Sequence, residues 1–358
     1  MVIIFSIDDD TSTHQVMDWL HHLGERVMVV YPQTLAVKIG TILNLVQRGE
    51  RPAFWFRKWS SAYHEQKYLN EESIKLLNYL HCITKDNCYW LNSPSDLDSN
   101  NKLIQPLLAE EAGLNIAQQH IVSAKSELLK IINSDKKFIT KSFGTAIYAN
   151  GDDDTTLFAY TQMIDDALLA KMPETFYPSL VQQYIDKEFE IRTFYLDGEC
   201  FSMAIFSQEN DKTKVDFRHY DNAMPNRNEP ICLPREVEER LRRFASAIGS
   251  NCGSFDLIQD KTGQIYFVEF NPLGQFGMVS HPCGYMLEKR IAQLLKSKNQ
   301  CNTQYERIAK HDESLLPLCV MRLEQVSDGG YELCYHSDFY ESDYAIVRSL
   351  HKPIDLLG

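Results

Sequence analysis

Residues 253–271 read GSFDLIQDKTGQIYFVEFN, and this stretch predicts a β-hairpin at the centre of the fold. The segment DKTG at 260–263 has the residue types of a tight turn. On either side of the turn, apolar residues alternate with polar ones, as they do along a strand with one buried face. Asp256 has two apolar neighbours in the first strand, so its side chain points to the opposite face.

The polar face of this hairpin is the first candidate site. If the loop has two residues, the pairing puts Asp256 on the face that carries Glu269 and Asn271. Two carboxylates and an amide oxygen on a half-buried sheet would repel one another unless a hard cation lay between them, and oxygen-only ligands suit Mg2+. The alternative is an antiparallel hairpin whose polar face is exposed to solvent.

Composition narrows the class of protein and its partners. The chain has 358 residues, of which 44% are hydrophobic, which is enough for a large core and for two or three domains. A formal net charge of -13 argues against a nucleic-acid backbone or an anionic membrane as the main partner, although a local basic groove could still hold phosphates. No stretch has the pattern of a signal peptide or a membrane span, and the nine cysteines include no CxxC pair. We therefore expect a cytoplasmic protein with reduced thiols.

The first part of the chain predicts an α/β unit. Apolar runs at 2–7 and 27–30 predict strands on either side of a helix at 13–23, a βαβ opening without a glycine-rich phosphate loop. The run FWFRKW at 54–59 is either a buried strand ending in a surface turn or a ligand-contacting strand. A helix is predicted over 72–82, and the polar stretch 92–101 is the candidate linker to a second domain.

The middle of the chain predicts a different pattern. A helix over 102–112 is ended by Gly113 and followed by a strand that ends near Val122. A second strand, 136–141, places Lys141 next to SFGTAIY. A lysine in this position can reach a phosphate group in a shielded site, whereas most lysines at strand ends are simply exposed.

Residues 180–194, LVQQYIDKEFEIRTF, predict two short strands broken at 186–187. Asp197-Gly198 then marks a hairpin into a strand at 200–206. Glu190 and Arg192 share one strand face and form either a structural pair or, beside Arg218 in VDFRHY, an anion clamp.

Two amphipathic helices and a tail complete the chain. Arg235 to Gly249 carries four arginines on its polar side, and apolar spacing at 287–295 marks the second helix. The tail at 301–358 contains a hairpin pattern around 327–330 and is expected to be a small appended β element of unknown role.

Taken in order, Lys102, Lys141, the YIDKEFEIR stretch, Arg218 and the segment from Asp256 to VEFN resemble an ATP-grasp ligase over residues 90–297. The resemblance implies an α/β (α+β) ATP-grasp fold. Its parts are an N-terminal α/β domain at 1–95, a central lid subdomain at 96–185 and a C-terminal ATP-grasp subdomain at 186–300, with the appended β element at 301–358.

The resemblance also implies roles for individual residues. ATP is expected between the two ATP-grasp subdomains, with Mg2+ on its phosphates. The implied ATP contacts are Lys102, Lys141, Lys187 and the backbone of Gln183, Tyr184 and Ile185; the implied metal ligands are Asp256, Glu269 and Asn271; and the residues that steady an acyl phosphate are Arg192 and Arg218. No side chain is assigned as general base, although His219 is a candidate.

FWFRKW, EIRTFYLDG and VDFRHYD are similar to the peptide-maturing branch, the graspetide macrocyclases, which include the microviridin ligases and the maturases of grasp-with-spasm systems. This implies ω-ester or ω-amide crosslinks between Asp or Glu and Thr, Ser or Lys of a ribosomal precursor peptide. The leader of that peptide is expected to dock near Phe201 to Tyr220 and Arg235 to Gly249, and a homodimer is left open.

Two other functions remain as alternatives. One is an ATP-grasp ligase that adds an amino acid to a small molecule or a protein tail, which shares the ATP site and differs in the acceptor. The other is a nucleotide-binding regulatory module, which the presence of all three metal-ligand positions disfavours.

Overall fold

The computed structural model describes residues 1–59, 67–98, 101–132, 136–143, 147–149, 156–158, 161–208, 226–301, 322–325 and 331–334. Within this part of the chain the fold is a mixed α/β arrangement with three main sheets. Arg218, His219 and the acidic segment 151–155 lie outside the described residues. No helix in the described ranges is long and apolar enough to cross a membrane.

A four-stranded parallel sheet opens the chain, in the order β2-β1-β3-β4. Its elements are β1 (Val2–Phe5), α1 (Thr11–His22), β2 (Val27–Val30), α2 (Leu35–Gln47), β3 (Ala53–Phe56), α3 (Lys67–Thr84) and β4 (Trp90–Leu91). Both faces of the sheet are buried, which explains why β1 and β3 are uninterrupted apolar runs. The predicted βαβ opening is confirmed, and α1 begins two residues earlier than predicted because Asp10 accepts the Thr13 N–H as its N-cap.

A second sheet is formed by the middle of the chain. After α4 (Gln105–Glu111) and β5 (Asn115–Ile116), the chain forms β6 (Gln119–Ala124), α5 (Lys125–Ile132), β7 (Phe138–Lys141), β8 (Ile147–Ala149), β9 (Thr156–Phe158), β10 (Gln162–Met163), α6 (Asp166–Lys171) and β11 (Thr175–Gln183). The sheet has the antiparallel order β10-β7-β11-β6, and β8 pairs with β9 separately. Lys141 lies at the end of β7, as predicted.

The third sheet has six strands in the order β14-β13-β12-β15-β16-β5. Its remaining elements are β12 (Lys187–Leu196), β13 (Glu199–Phe206), β14 (Arg227–Ile231), α7 (Arg235–Ile248), β15 (Cys252–Asp260), β16 (Ile265–Asn271), α8 (Gly277–Cys283) and α9 (Leu287–Lys298). Helices α4 and α7 cover one face. Helices α8 and α9 cover the other face and join it to the N-terminal sheet in one hydrophobic core.

The predicted strand break at 186–187 marks a change of sheet. Strand β11 ends at Gln183 in the second sheet, and β12 begins at Lys187 in the third. The segment 184–186 therefore connects two sheets that face each other across a gap, and this gap is where the candidate site lies.

The tail contributes one described element. Strands β17 (Arg322–Gln325) and β18 (Tyr331–Cys334) pair antiparallel, which confirms the predicted hairpin.

The domain boundaries remain predictions. Helix α4 and strand β5 come from the predicted central segment and pack on the third sheet.

Asp96 gives the fold a testable pH dependence. Burial raises the pKa of this carboxyl to about 6, against an opposing hydrogen bond from the Ser93 N–H. The folded state thus favours the protonated acid. The protonated Asp96 carboxyl therefore stabilises the fold below a pH of about 4, and this contribution is lost as the pH rises through about 6. A shift of this size corresponds to about 3 kcal/mol of unfolding free energy.

We expect Asp96→Asn to remove this contribution to the pH dependence, because asparagine stays neutral and can still accept the Ser93 N–H. Urea unfolding of both proteins between pH of about 4 and 7 should show the variant gaining stability relative to wild type by up to about 3 kcal/mol. A difference between the two proteins that does not change with pH would contradict the raised pKa.

Candidate active site

Strands β15 and β16 bring the three predicted metal ligands onto one face of the third sheet. Asp256 lies opposite Glu269, and Ser254 lies opposite Asn271. The connecting loop has four residues, 261–264, so the two-residue loop assumed from sequence is wrong. Leu257 pairs with Phe267 while Asp256 pairs with Glu269, which leaves Val268 as an extra residue. This β-bulge shifts the register by one residue and places the two carboxylates opposite each other.

A cavity of about 330 Å³ lies on this face, between the second and third sheets. Ten of the eleven predicted site residues line it, and the eleventh, Arg218, lies outside the described residues. The ten are Lys102, Lys141, Gln183, Tyr184, Ile185, Lys187, Arg192, Asp256, Glu269 and Asn271. The structure thus brings together residues that are spread over 170 positions of the sequence, from 102 to 271.

Each predicted metal-binding carboxylate lies against a cation. Lys102 Nζ is 3.2 Å from Glu269 Oε2, and Arg192 Nη1 donates a hydrogen bond to Asp256 Oδ1. The turn at 102–104 that precedes α4 presents Lys102, so the helix begins later than the predicted residue 102. The cross-strand register of β12 and β15 places Arg192 opposite Asp256. Opposite charges are therefore matched in a site that is largely shielded from water.

A second ion pair lies at the start of β12. Lys187, whose side chain is 2% exposed, donates to Glu190 Oε1. Burial raises the pKa of Glu190, while the Lys187 ammonium acts in the opposite direction. Glu190 also lines the cavity, and its ionic partner is Lys187, so the structural pair with Arg192 considered from sequence is wrong. Both residues lie in β12, and the register shift between Lys187 and Phe189 brings the two side chains together, which the alternation of the sequence does not indicate.

The connecting segment 183–185 forms the wall of the cavity between the two sheets. The Gln183 N–H donates to Gln118 O, and the Tyr184 N–H donates to Lys137 O, each at 2.8 Å. These bonds fix the segment between β6 and β7. Among the residues that the structure describes, the Ile185 N–H has no backbone acceptor, so a ligand can use this donor.

The donor set on the polar face fits Mg2+. In the described part of the chain no group of three His, Cys, Asp or Glu side chains is placed to hold a metal ion. Asp256, Glu269 and Asn271 instead supply two carboxylates and one amide oxygen, with the two carboxylates 19% and 21% exposed toward the cavity. A hard cation that keeps several other oxygen ligands, such as waters or phosphates, requires only one or two protein carboxylates.

No model of a known protein family matches the sequence, and no curated protein matches it. Solved structures do match its fold. A RiPP-associated ATP-grasp ligase from Chryseobacterium gregarium, in complex with ADP and a leader and core peptide, has a TM-score of 0.67 at 17% identity, covering 84% of this chain and 98% of that chain. The chain has an ATP-grasp fold.

Two further structures support this fold assignment. The macrocyclase MdnC from Microcystis aeruginosa, bound with its precursor peptide MdnA, has a TM-score of 0.65 at 19% identity, covering 83% of this chain and 99% of that chain. The ATP-grasp ligase PsnB, complexed with a phosphomimetic variant of a minimal precursor, Mg and ADP, has a TM-score of 0.64 at 15% identity, with coverages of 83% and 98%. The resemblance stated from sequence is thereby confirmed at the level of the fold.

Within this ATP-grasp fold, sequence reasoning missed three buried polar residues next to the site. Gln105, Asn92 and Arg57 hydrogen-bond to the main chain around Asn271. They lie 165 to 216 positions from their partners along the chain, so no local pattern could have indicated the contacts.

Proposed function

We propose that this chain is an ATP-dependent ligase that matures a ribosomally made precursor peptide. The proposal rests on one observation. In an ATP-grasp fold, the predicted cationic, carboxylate and amide side chains line the same cavity. Proteins of similar fold include an ATP-grasp ligase bound to ADP and a macrocyclase bound to a precursor peptide.

In this proposal the nucleotide occupies the cavity between the second and third sheets. Lys102 and Lys141 contact its phosphates, and the backbone at 183–185, with Lys187 nearby, contacts the adenine side. Asp256, Glu269 and Asn271 hold Mg2+, which neutralises charge on the transferring phosphoryl group when it is bound. Lys102 Nζ lies 3.2 Å from Glu269 Oε2, so this lysine is next to a carboxylate that is proposed to hold the metal on the phosphates.

The proposed chemistry activates a side-chain carboxylate of the peptide. A carboxylate oxygen attacks the γ-phosphorus of ATP, ADP leaves, and the product is an acyl phosphate. The hydroxyl oxygen of Thr or Ser, or the amine of Lys, then attacks the carbonyl carbon; phosphate leaves with the bonding electrons, and the nucleophile's proton passes to phosphate or solvent. Arg192 and Arg218 steady the anionic groups in both steps, since positioning and charge stabilisation dominate phosphoryl transfer.

The leader segment of the peptide is proposed to dock near Phe201 to Tyr220 and Arg235 to Gly249, of which 209–220 lie outside the described residues. Three arginines of α7 pair with glutamates one turn away, in the pairs Arg235–Glu239, Arg240–Glu236 and Arg242–Glu238. The helix has four arginines and three glutamates, a net charge of one. Steering of an acidic leader by α7 is therefore weaker than its arginines alone suggest.

Mass spectrometry tests the proposed function. The substrate to be tested is a short peptide with repeated Thr or Ser together with Glu or Asp, sought in the reading frames that neighbour the gene of this chain and incubated with the protein, ATP and Mg2+. We expect a product lighter by one water per ring, with one ADP formed per ring. A peptide that gains the mass of an amino acid would contradict ring formation and favour the amino-acid ligase, and ring formation unaffected by deletion of the leader would contradict leader docking.

A further inference from the structure

The main chain at the end of β16 is held by a side chain from outside the hairpin. Gln105, the buried first residue of α4, donates from Nε2 to Phe270 O at 2.7 Å and accepts the Phe270 N–H on Oε1 at 2.8 Å. Strand β5 covers the same edge of β16 only at Tyr266 and Phe267. The Gln105 amide thus continues the hydrogen-bond ladder where the neighbouring strand has ended.

The N-terminal domain holds the residues that follow Asn271. Asn92 Nδ2 donates to Pro272 O at 2.7 Å, and Arg57 Nη1 donates to Leu273 O at 2.8 Å. Arg57 is itself fixed by Asp10, whose Oδ2 lies 3.2 Å from Nε in a pair that is almost completely buried. Arg57 belongs to the FWFRKW run, and it contacts this main chain without lining the nucleotide cavity.

Close packing leaves this main chain no room to shift. A Cβ atom on Gly274 would lie 2.2 Å from Ser254 Oγ, and one on Gly253 would lie 2.7 Å from Asn271 O. The Asn271 side chain is restrained too, because its Oδ1 accepts the Leu273 N–H at 3.1 Å. Residues 270–274 are therefore fixed from both sides.

We propose that Gln105, Asn92 and Arg57 are positioning residues for the metal site, an interdomain clamp that fixes the main chain of 270–274 and so the amide oxygen of Asn271. The inference rests on the proposed function, because that function requires Mg2+ bound together with a nucleotide at Asn271. Mg2+ demands near-ideal octahedral geometry, so a displaced ligand weakens binding of the metal more than binding of the organic part of the nucleotide. None of the three residues lines the cavity, so they act through the backbone.

The test compares ADP binding with Mg2+ and with EDTA, measured by calorimetry, in wild type and in Gln105→Met. Methionine fills a similar volume and removes both hydrogen bonds to Phe270. We expect the affinity for ADP with Mg2+ to fall by about tenfold or more, as with loss of other residues that orient metal ligands. The affinity for ADP in EDTA should stay within about twofold, since the change acts through the metal.

Asn92→Gly provides a second variant in case Gln105→Met does not fold. Asn92 has a φ of 56°, which glycine adopts without strain. The substitution removes the hydrogen bond to Pro272 O and the longer one, 3.4 Å, that Asn92 Oδ1 accepts from Ser250 Oγ. The matched control is Thr84→Val, which removes buried hydrogen bonds to Leu80 O and from Trp90 Nε1 elsewhere in the N-terminal domain. We expect Asn92→Gly to bind ADP more weakly in the presence of Mg2+ and not in EDTA. Thr84→Val should lose thermal stability alone.

The outcomes separate the clamp from the proposed function. The clamp would be overturned if its variants weakened ADP binding equally with Mg2+ and with EDTA. It would also be overturned if Thr84→Val lost as much affinity for ADP with Mg2+ as the clamp variants do. ADP binding by wild type that does not depend on Mg2+ would overturn it as well. The protein could also bind ADP in a Mg2+-dependent way that the clamp variants weaken, and yet leave the precursor peptide unmodified. This result would support the clamp and reject the peptide-maturing function.

Discussion

Glu269→Gln is expected to lower the rate of ATP-dependent ligation by about 100-fold or more, since several kcal/mol of transition-state charge stabilisation depend on the bound metal. Glutamine keeps the shape of the side chain but loses the charge that faces Lys102 at 3.2 Å. The fold should persist, because glutamine keeps the shape of the side chain and Glu269 lines the cavity instead of packing in a hydrophobic core. Steady-state ADP release at saturating Mg2+, together with thermal unfolding, measures both effects.

Asn271→Ala should also lower the rate of ATP-dependent ligation, because it removes the amide oxygen of the same donor set. The matched control is Glu72→Gln on α3, an exposed acid that lies 3.6 Å from Lys75 and far from the cavity lining. Its rate should equal that of wild type. Activity close to wild type in either Glu269→Gln or Asn271→Ala would contradict the assignment of these residues to the metal.

Arg192→Lys is expected to lower the rate of ligation by about 100-fold, the loss typical when one preorganised donor to a developing anion is removed. Arg192 Nη1 bonds to Asp256, and its Nε is buried without a hydrogen-bond partner among the described residues. Arg192 also lines the cavity, so its guanidinium can hold Asp256 and contact a ligand anion at the same time. Lysine keeps the positive charge but lacks the planar fork that makes both contacts.

The Arg192 prediction is checked by separating binding from chemistry. Affinity for ADP in EDTA should stay within about threefold of wild type, since the arginine is assigned to the acyl phosphate and not to the nucleotide. Single-turnover ring formation should carry the whole loss. A variant that binds ADP poorly but closes rings at the normal rate once saturated would show that Arg192 serves the nucleotide instead.

The sequence predicted the placement of the candidate residues best where they lie on strands with clear alternation. Glu269 and Asn271 share a face because side chains alternate along a strand, and the strand break at 186–187 was visible from its polar residues. Asp256 faces Glu269 because of the bulge at Val268. The βαβ opening followed from apolar runs with helical spacing between them, and both faces of that sheet proved to be buried.

Other features depended on contacts that periodicity does not encode. The bulge at Val268 is a register shift between two strands, and its residue types do not differ from those of a regular strand. The ion pair between Lys187 and Glu190 arises from a register shift between Lys187 and Phe189 within β12, because residues three apart on a regular strand point to opposite faces. Gln105 and Arg57 act on main-chain atoms more than 160 residues away, which only the tertiary fold reveals.

The central claim is that this cavity transfers the γ-phosphoryl group of ATP to a peptide carboxylate. The most direct measurement uses a precursor peptide whose Asp and Glu side-chain carboxylates carry oxygen-18, with mass spectrometry of the phosphate released during ring formation. An acyl phosphate requires one labelled oxygen in each phosphate released per ring. Unlabelled phosphate, or label found in AMP, would contradict carboxylate activation by phosphoryl transfer.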